Sequence, residues 1–345
     1  MPLTVQIDDR RLESDPDQSI LETLLRAGVW MPSSCNQGTC GTCKLQVLAG
    51  QVDHGDSPLD TLTSDERAAG LALGCQARPC TDTTVALRGT ATRSTHPLRD
   101  LRATVTAVIE VARDTRRILL RLDEPLAFRP GQCIELAVPE SGQRRQYSLA
   151  NCEGEDTELE LHVRRVDGGL ATDAWLCRSL AVGDRVDVTG PLGDFHLADE
   201  PDDEGEPMVL IGGGTGLAPL MGIVRTALAR RPDRVVILYH GVRAEEDLYG
   251  GEVFDELAAR HPGFQFVQVL SDAPDDHLYR KGFPTDAFLE DVTAARGWSG
   301  WLCGPPALVE AGVRAFKRRR MAPRLIHREK FTPADSGAGA VAEAS

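Results

Sequence analysis

Four cysteines constrain this chain more than any other feature. Three sit in Ser34-Cys35-Asn36-Gln37-Gly38-Thr39-Cys40-Gly41-Thr42-Cys43, and Cys75 follows well downstream. The spacing C-x4-C-x2-C…C suits a [2Fe–2S] cluster held by four thiolates, so Cys35, Cys40, Cys43 and Cys75 are the candidate metal ligands. Three ligands from one tight loop require the backbone to approach the sulfurs closely, which Gly38 and Gly41 permit. Amides brought that near can hydrogen-bond the sulfurs and tune the potential. Zinc sites more often show C-x2-C pairs. Such a cluster passes one electron at a time. The chain must therefore contain or meet an electron source, and something outside must take the electrons away.

The pattern around the cysteines divides into three styles. Residues 1–92 read as a compact β-grasp-like unit. Leu3-Thr4-Val5-Gln6-Ile7 alternates as a strand, Asp17 can cap a helix from Gln18 that Gly28 closes, and Leu45–Leu48 and Thr83–Leu87 are further strands. A short helix starts near Ser64. Thr92 to Pro97 is a polar connector. Residues 99–199 carry six short alternating runs separated by Gly and Pro, and predict a small antiparallel β-barrel interrupted by one helix near Thr172–Leu180. An acidic hinge, Asp199 to Pro207, follows. Over 207–331, apolar strands alternate with helical stretches, the mark of a parallel α/β sheet. Residues 332–345 are rich in Ala, Gly and Ser and read as a disordered tail. The fold class expected is thus multidomain, α+β followed by α/β.

Composition narrows the function. A length of 345 residues suits two or three domains. The net charge of −14 argues against nucleic acid, whose phosphates need a basic patch. No apolar run is long enough to cross a membrane, and Met1-Pro2-Leu3-Thr4-Val5 lacks a secretory profile. Nine cysteines, four of them on a cluster, point to a reducing cytoplasm. Of the others, Cys80, Cys133, Cys152 and Cys177 read as ordinary buried thiols.

Four motifs carry chemistry. In Arg145-Gln146-Tyr147-Ser148, alternation puts Arg145 and Tyr147 on one strand face, a guanidinium fork for pyrophosphate beside an aromatic for a flat ring. Downstream, Gly168-Gly169-Leu170-Ala171-Thr172 opens a helix, whose N-terminus favours an anion. Gly212-Gly213-Gly214-Thr215-Gly216 lies between a strand and a helix, where a backbone can approach a dinucleotide pyrophosphate. Cys303-Gly304-Pro305-Pro306 ends a strand and starts a helix, placing a thiol where α/β sheets bind ligands. Glu329-Lys330-Phe331 is the last apolar-aromatic point before the tail.

In this order the motifs resemble the ferredoxin–NADP-reductase-like flavoproteins fused to an N-terminal plant-type ferredoxin. The resemblance spans about residues 3–331. It leans toward the reductase component of phenol hydroxylase-type multicomponent monooxygenases, on Ala27-Gly28-Val29-Trp30-Met31-Pro32, Tyr147-Ser148-Leu149-Ala150-Asn151 and Leu159-Glu160-Leu161-His162-Val163-Arg164. Reductases of aromatic-ring dioxygenases share the layout. The resemblance implies FAD, with Arg145 on a phosphate, Tyr147 against the isoalloxazine, Ser148 near N5, and Val163, Arg164 and Thr172 holding the rest. It implies NADH on Gly212, Gly213, Gly214, Thr215 and Gly216, Cys303 near the nicotinamide and Phe331 near the flavin's other face. Ser148 and Cys303 would be the catalytic positions. The implied enzyme is an NADH-dependent oxidoreductase that passes electrons from NADH through FAD and [2Fe–2S] to a bacterial oxygenase partner. Some relatives end close to that aromatic, whereas 14 residues follow Phe331 here. For the donor, Arg243 could meet a 2′-phosphate and the acidic residues after it a free ribose hydroxyl; the resemblance favours NADH. A deoxysugar-pathway reductase would use the same modules with another acceptor. A flavin-free electron carrier is disfavoured by the intact Arg145-Tyr147-Ser148 and Gly212–Gly216 motifs.

Overall fold

The computed structural model describes residues 2–87, 92–93, 96–152, 154–155, 157–198, 207–273 and 279–332. The acidic hinge up to residue 206, the tail from 333 and part of the connector before Pro97 lie outside the described residues. The chain forms two compact units, Met1–Asp100 with Thr189–Asp194, and Leu101–Val188 with Phe195–Ser345.

The first unit is built on a five-stranded sheet in the order Arg10–Ser14, Leu3–Ile7, Thr83–Leu87, Lys44–Ala49, Leu71–Leu73. Leu3–Ile7 pairs parallel with Thr83–Leu87, and its other neighbour is antiparallel. The helix is Ile20–Arg26, and its cap is Ser19 rather than Asp17. The reason is a reciprocal capping box: Ser19 accepts the Glu22 N–H at 3.2 Å while the Glu22 carboxylate accepts the Ser19 N–H at 2.8 Å. Thr63 and Glu66 repeat the device before the helix Ser64–Ala68. Ile20, Leu21 and Leu24 are fully buried with Val5, Ile7 and Leu45. Alternation on the strands and 3.6-residue spacing on the helix thus meet in one core.

The second unit has two layers. Six strands follow the order Arg144–Ser148, Cys133–Ala137, Arg185–Leu192, Arg99–Ala112, Thr115–Leu122, Glu158–Arg164. A bridge between Leu149 and Leu161 joins the two end strands and closes the antiparallel sheet into a barrel. Its interior is aliphatic, from Val105, Ile118, Leu120, Ile134, Leu136 and Leu161. The helix is wider and starts earlier than the sequence suggests. It is a π-helix over Leu170–Ser179, with Leu180 N–H bonded to the Trp175 carbonyl at 2.9 Å.

The other layer is a parallel sheet in the order Arg280–Lys281, Phe264–Leu270, Val236–Val242, Met208–Gly213, Ser299–Gly304, Ile326–Lys330. Alternate residues of Met208–Gly213 face opposite cores: Met208 and Leu210 pack under the helix Leu217–Arg230, Val209 and Ile211 under Pro284–Asp291 and Pro306–Arg318. The chain starts in the middle of this sheet, builds outward one way, then returns to the other side. The order reverses between Met208–Gly213 and Ser299–Gly304, and a crevice opens at the carboxyl ends of those two strands.

Candidate functional site

The cluster loop is held by its own hydrogen bonds. Cys43 Sγ lies 3.2 Å from Cys75 Sγ, and the Cys35 and Cys40 thiols bond to each other. The hydrogen bond from Cys40 lowers the Cys35 thiol below the ordinary range, against its partial burial. Among the described residues no three acidic, His or Cys side chains converge on one point that would hold a single ion. The four thiols stand instead as two pairs, as two irons require. Gly38 adopts φ +78°, and a β-carbon there would sit 3.1 Å from Gln76 Cγ and 3.2 Å from Pro58 Cδ. The Gln76 amide ties the loop together, donating to the Asn36 carbonyl at 2.9 Å and to Cys75 Sγ at 3.9 Å. The donor set and the cradle fit a [2Fe–2S] cluster.

In the second unit, Tyr147 and Ser148 end the strand Arg144–Ser148 and are half-buried. Their register against Ile134 and Cys133 fixes them at the barrel's rim. Arg145 turns its guanidinium toward the preceding turn, donating to the Gln143 side chain at 2.5 Å and the Arg144 carbonyl at 2.9 Å. Arg164 is exposed at the end of its strand, whereas the Val163 side chain belongs to the barrel core, so only its backbone can face a cofactor. Thr172 Oγ1 accepts the Val166 N–H at 3.3 Å in the first turn of the π-helix. That turn's leading N–H groups have no helical carbonyl to bond and suit a phosphate. A guanidinium, a half-buried ring and a helix start on one barrel fit a flavin dinucleotide.

The structure brings Ser148 and Cys303 to the same place through Glu329, the first residue of the Glu329-Lys330-Phe331 motif, to which the sequence assigned no role of its own. Ser148 Oγ donates to Glu329 at 3.4 Å, and Glu329 is the register partner of Cys303 on the neighbouring strand. Cys303 is fully buried; burial, then the Glu329 charge, raises its thiol well above the ordinary range. Phe331 follows, half-buried against the adjacent core, its N–H on the Gly304 carbonyl at 2.9 Å. Gly212 and Gly213 are not loop residues: both are buried at the end of the strand Met208–Gly213, where Gly212 pairs with Cys303. The turn is Gly214–Gly216, which runs straight into the helix Leu217–Arg230. A β-carbon on Gly216 would lie 2.3 Å from the Cys303 carbonyl oxygen, so only glycine lets the two segments touch. Of the remaining cysteines, Cys133 and Cys177 are buried as expected; Cys80 is exposed and Cys152 partly so, because each sits on an irregular segment outside the cores.

Known proteins agree with this geometry. A model described as a 2Fe-2S iron-sulfur cluster binding domain matches residues 3–80. An oxidoreductase FAD-binding domain matches 102–197, and an oxidoreductase NAD-binding domain matches 210–314. An aromatic O-demethylase reductase subunit from Amycolatopsis sp. is 68% identical over 97% of this chain and all of its own length. The reductase component of a phenol 2-monooxygenase from Pseudomonas sp. is 36% identical over 98% of this chain and 96% of its own. The crystal structure of an Amycolatopsis cytochrome P450 reductase superposes with a TM-score of 0.94 at 68% identity, covering 96% of this chain and all of the other.

The chain belongs to the iron–sulfur flavoprotein reductases of multicomponent oxygenase systems. It is an electron-transfer oxidoreductase with a [2Fe–2S] cluster, FAD and a nicotinamide dinucleotide as its cofactors. No described helix of the reductase is long and apolar enough to cross a membrane.

Sequence reasoning missed two features of the reductase. One is the role of Glu329: the stretch Glu329-Lys330-Phe331 reads only as a strand end packing on the core, whereas the carboxylate, 8% exposed, accepts the Ser148 hydroxyl. The other is a buried group beneath the glycine turn. His240 Nε2 meets the Gly214 carbonyl at 3.0 Å, Tyr249 Oη meets the same oxygen at 3.4 Å, and His162 packs edge-on against Tyr249. A histidine at the end of the apolar run 235–239 was the available signal.

Proposed function

We propose that this reductase oxidises NADH and supplies single electrons to a cytochrome P450-type aromatic O-demethylase. The observation that carries the partner class is the 68% identity, end to end, with a reductase of that description. It moves the weight away from the diiron phenol hydroxylase expected from the motifs, whose reductase is half as similar. The domain limits we adopt are 1–92 for the ferredoxin, 99–199 for the FAD barrel and 207–331 for the nicotinamide domain, with a cytoplasmic location.

When bound, FAD accepts a hydride from NADH and the [2Fe–2S] cluster relays the electrons one at a time. The chain's own residues position these groups. Ser148 and Glu329 share a hydrogen bond, and Glu329 is the register partner of Cys303; these three residues would hold the reacting ends of the flavin and the nicotinamide. The Gly214–Gly216 turn would hold the pyrophosphate, and the fully buried Cys303 would help keep water from the nicotinamide. Arg243 is paired with Asp272 at 3.7 Å, both at the carboxyl ends of their strands. The pairing engages the cation that could otherwise meet a 2′-phosphate, and the carboxylate suits the ribose hydroxyls of NADH. Cys35, Cys40, Cys43 and Cys75 hold the cluster, and the oxygenase docks at residues 36–42. Leu59, 59% exposed between the exposed Asp56 and Asp60 and next to Pro58 of the cluster cradle, gives that surface an apolar centre with an acidic rim. A basic partner face complements it.

Anaerobic titration with NADH and with NADPH, following flavin absorbance and the cluster's EPR signal, tests the donor and the internal path. Turnover with an O-demethylating cytochrome P450 against a diiron phenol hydroxylase tests the acceptor. Flavin and cluster reduction by NADH with reduction of the P450 alone is expected. Preference for the diiron protein would restore the phenol hydroxylase reading, which the 36% identity keeps as the second choice.

A further inference from the structure

We infer that His240 and Tyr249 are positioning residues for the nicotinamide dinucleotide, acting together on the Gly214 carbonyl so that the Thr215 amide faces the pyrophosphate. This rests on reading Gly214–Gly216 as the dinucleotide turn.

Three donors gather on one oxygen. The Gly214 carbonyl accepts the Leu217 N–H of the opening helix, His240 Nε2 at 3.0 Å and Tyr249 Oη at 3.4 Å. A trans peptide is planar, and its C=O and N–H point in opposite directions. Holding the Gly214 oxygen toward the core therefore turns the Thr215 N–H out of the core. A donor then faces the anion. With the peptide reversed, the carbonyl's negative end would face it instead. Gly214 sits at φ +54°, a conformation open to glycine, and the two side-chain donors add to the Leu217 N–H in fixing the orientation of this peptide.

His240 is suited to nothing else visible at this position. It is fully buried, and burial pushes its pKa down to about 4, so the ring is neutral at physiological pH. The bond to a carbonyl requires the proton on Nε2. Nδ1 is buried with no hydrogen-bond partner among the described residues. A ring serving only as filler would be cheaper as phenylalanine, since Phe266 stacks on it at 6.4 Å and Tyr249 meets it edge-on at 5.4 Å. Tyr249 is braced from the barrel: His162 packs against its ring at 5.2 Å and is itself fixed by Glu160 at 2.8 Å. The brace comes from Glu158–Arg164, the strand whose last residue, Arg164, reaches to within 3.8 Å of a β-carbon placed on Gly214.

The test is stopped-flow reduction of the flavin by NADH, without oxygen, in the full-length protein carrying both cofactors. Failure of NADH to reduce the wild-type flavin would remove the dinucleotide reading itself, and this inference with it. Given wild-type reduction, His240→Phe is expected to raise the half-saturating NADH concentration about tenfold, equivalent to ~1.4 kcal/mol, with the limiting rate within about twofold. His240→Gln, which returns an N–H near the Nε2 position, is expected to recover to within about threefold. Tyr249→Phe is expected to cost about threefold. The inference is overturned by an unchanged half-saturation in His240→Phe, by Gln rescuing no better than Phe, or by a loss confined to the limiting rate. If His240→Phe does not retain flavin, Tyr249→Phe decides, because it removes one oxygen from an otherwise identical ring; wild-type half-saturation there overturns the inference.

Discussion

Replacing Gly216 by alanine adds one methyl group at the point where the glycine turn meets the strand end carrying Cys303. The backbone at Gly216 has φ −60° and ψ −9°, ordinary right-handed helical values, so alanine incurs no dihedral penalty. The effect is steric alone. The new β-carbon would lie 2.3 Å from the Cys303 oxygen, 2.6 Å from its carbonyl carbon and 2.9 Å from the Gly304 nitrogen. All three are backbone atoms and cannot rotate away. Contact at van der Waals distance demands that the segments part by about 1 Å, an overpacking that costs about 1–3 kcal/mol of stability. The same shift moves the proposed dinucleotide turn away from Cys303, and a misplacement of ~1 Å lowers a positioned reaction by about 10²-fold. The assay is anaerobic flavin reduction by NADH, read as a second-order rate constant, beside a thermal melt. The expected result is a loss of about 10² in that rate constant with flavin content and the cluster spectrum unchanged. Gly251→Ala is the control, since no atom lies within 4 Å of its β-carbon. It should change stability by no more than about 0.5 kcal/mol and leave the rate alone. A Gly216→Ala protein that melts like wild type and reduces its flavin at the wild-type rate would refute the claim that this contact sets the dinucleotide's position.

Three further outcomes are expected. Gly38→Ala combines a left-handed backbone with contacts at 3.1 and 3.2 Å, so iron content and the EPR signal should fall while flavin reduction by NADH persists; full cluster loading would contradict the cradle. Cys303, fully buried with its thiol raised by burial and by Glu329, should resist iodoacetamide at pH 8 in the native protein while exposed Cys80 is alkylated; mass spectrometry that finds Cys303 modified first would count against its placement. His240, lowered from 6.5 to about 4, is unprotonated in the folded state over a range where the unfolded chain binds a proton. Its contribution to stability is therefore flat above pH 6.5 and is lost as pH falls toward 4, by up to about 3 kcal/mol. Denaturant melts should show that loss in the wild type and lack it in His240→Phe; parallel curves would mean that His240 is not the group responsible.

What the sequence reveals and conceals follows from distance along the chain. The cysteine loop and the glycine turn are local: their spacing is their geometry, so both were legible without a fold. Even so, Gly212 and Gly213 read as loop, because a run of glycines gives no hint that the first two are strand residues pressed against a neighbour. The Ser148–Glu329 bond joins residues 181 positions apart, and although Glu329-Lys330-Phe331 stands out as a strand end, nothing in it names Ser148 as the partner. It becomes visible only when the sheet order puts Ile326–Lys330 beside Cys303. His240 was hidden in another way. It sits in a strand whose neighbours are apolar, where a polar ring reads as a break rather than as a donor aimed at Gly214. The helix Leu170–Ser179 was mis-bounded because its five-residue hydrogen-bond spacing does not follow the 3.6-residue period by which helices are read.

The partner is legible from neither spacing nor fold. The residues proposed for electron entry are fixed by packing: Cys303, Glu329, His240 and Tyr249 are all at least nine-tenths buried. Electron exit is built from exposed ones, with Cys40 and Leu59 at the surface. Buried positions are constrained by the packing around them, so changes there cost stability as well as function. Exposed positions are free to follow whichever oxygenase the protein serves. It follows that swapping surface residues around Leu59, Asp56 and Asp60 should redirect acceptor preference between a cytochrome P450 and a diiron oxygenase, with flavin reduction by NADH unaltered. If such swaps altered flavin reduction instead, donor and acceptor functions would not be separable in this way.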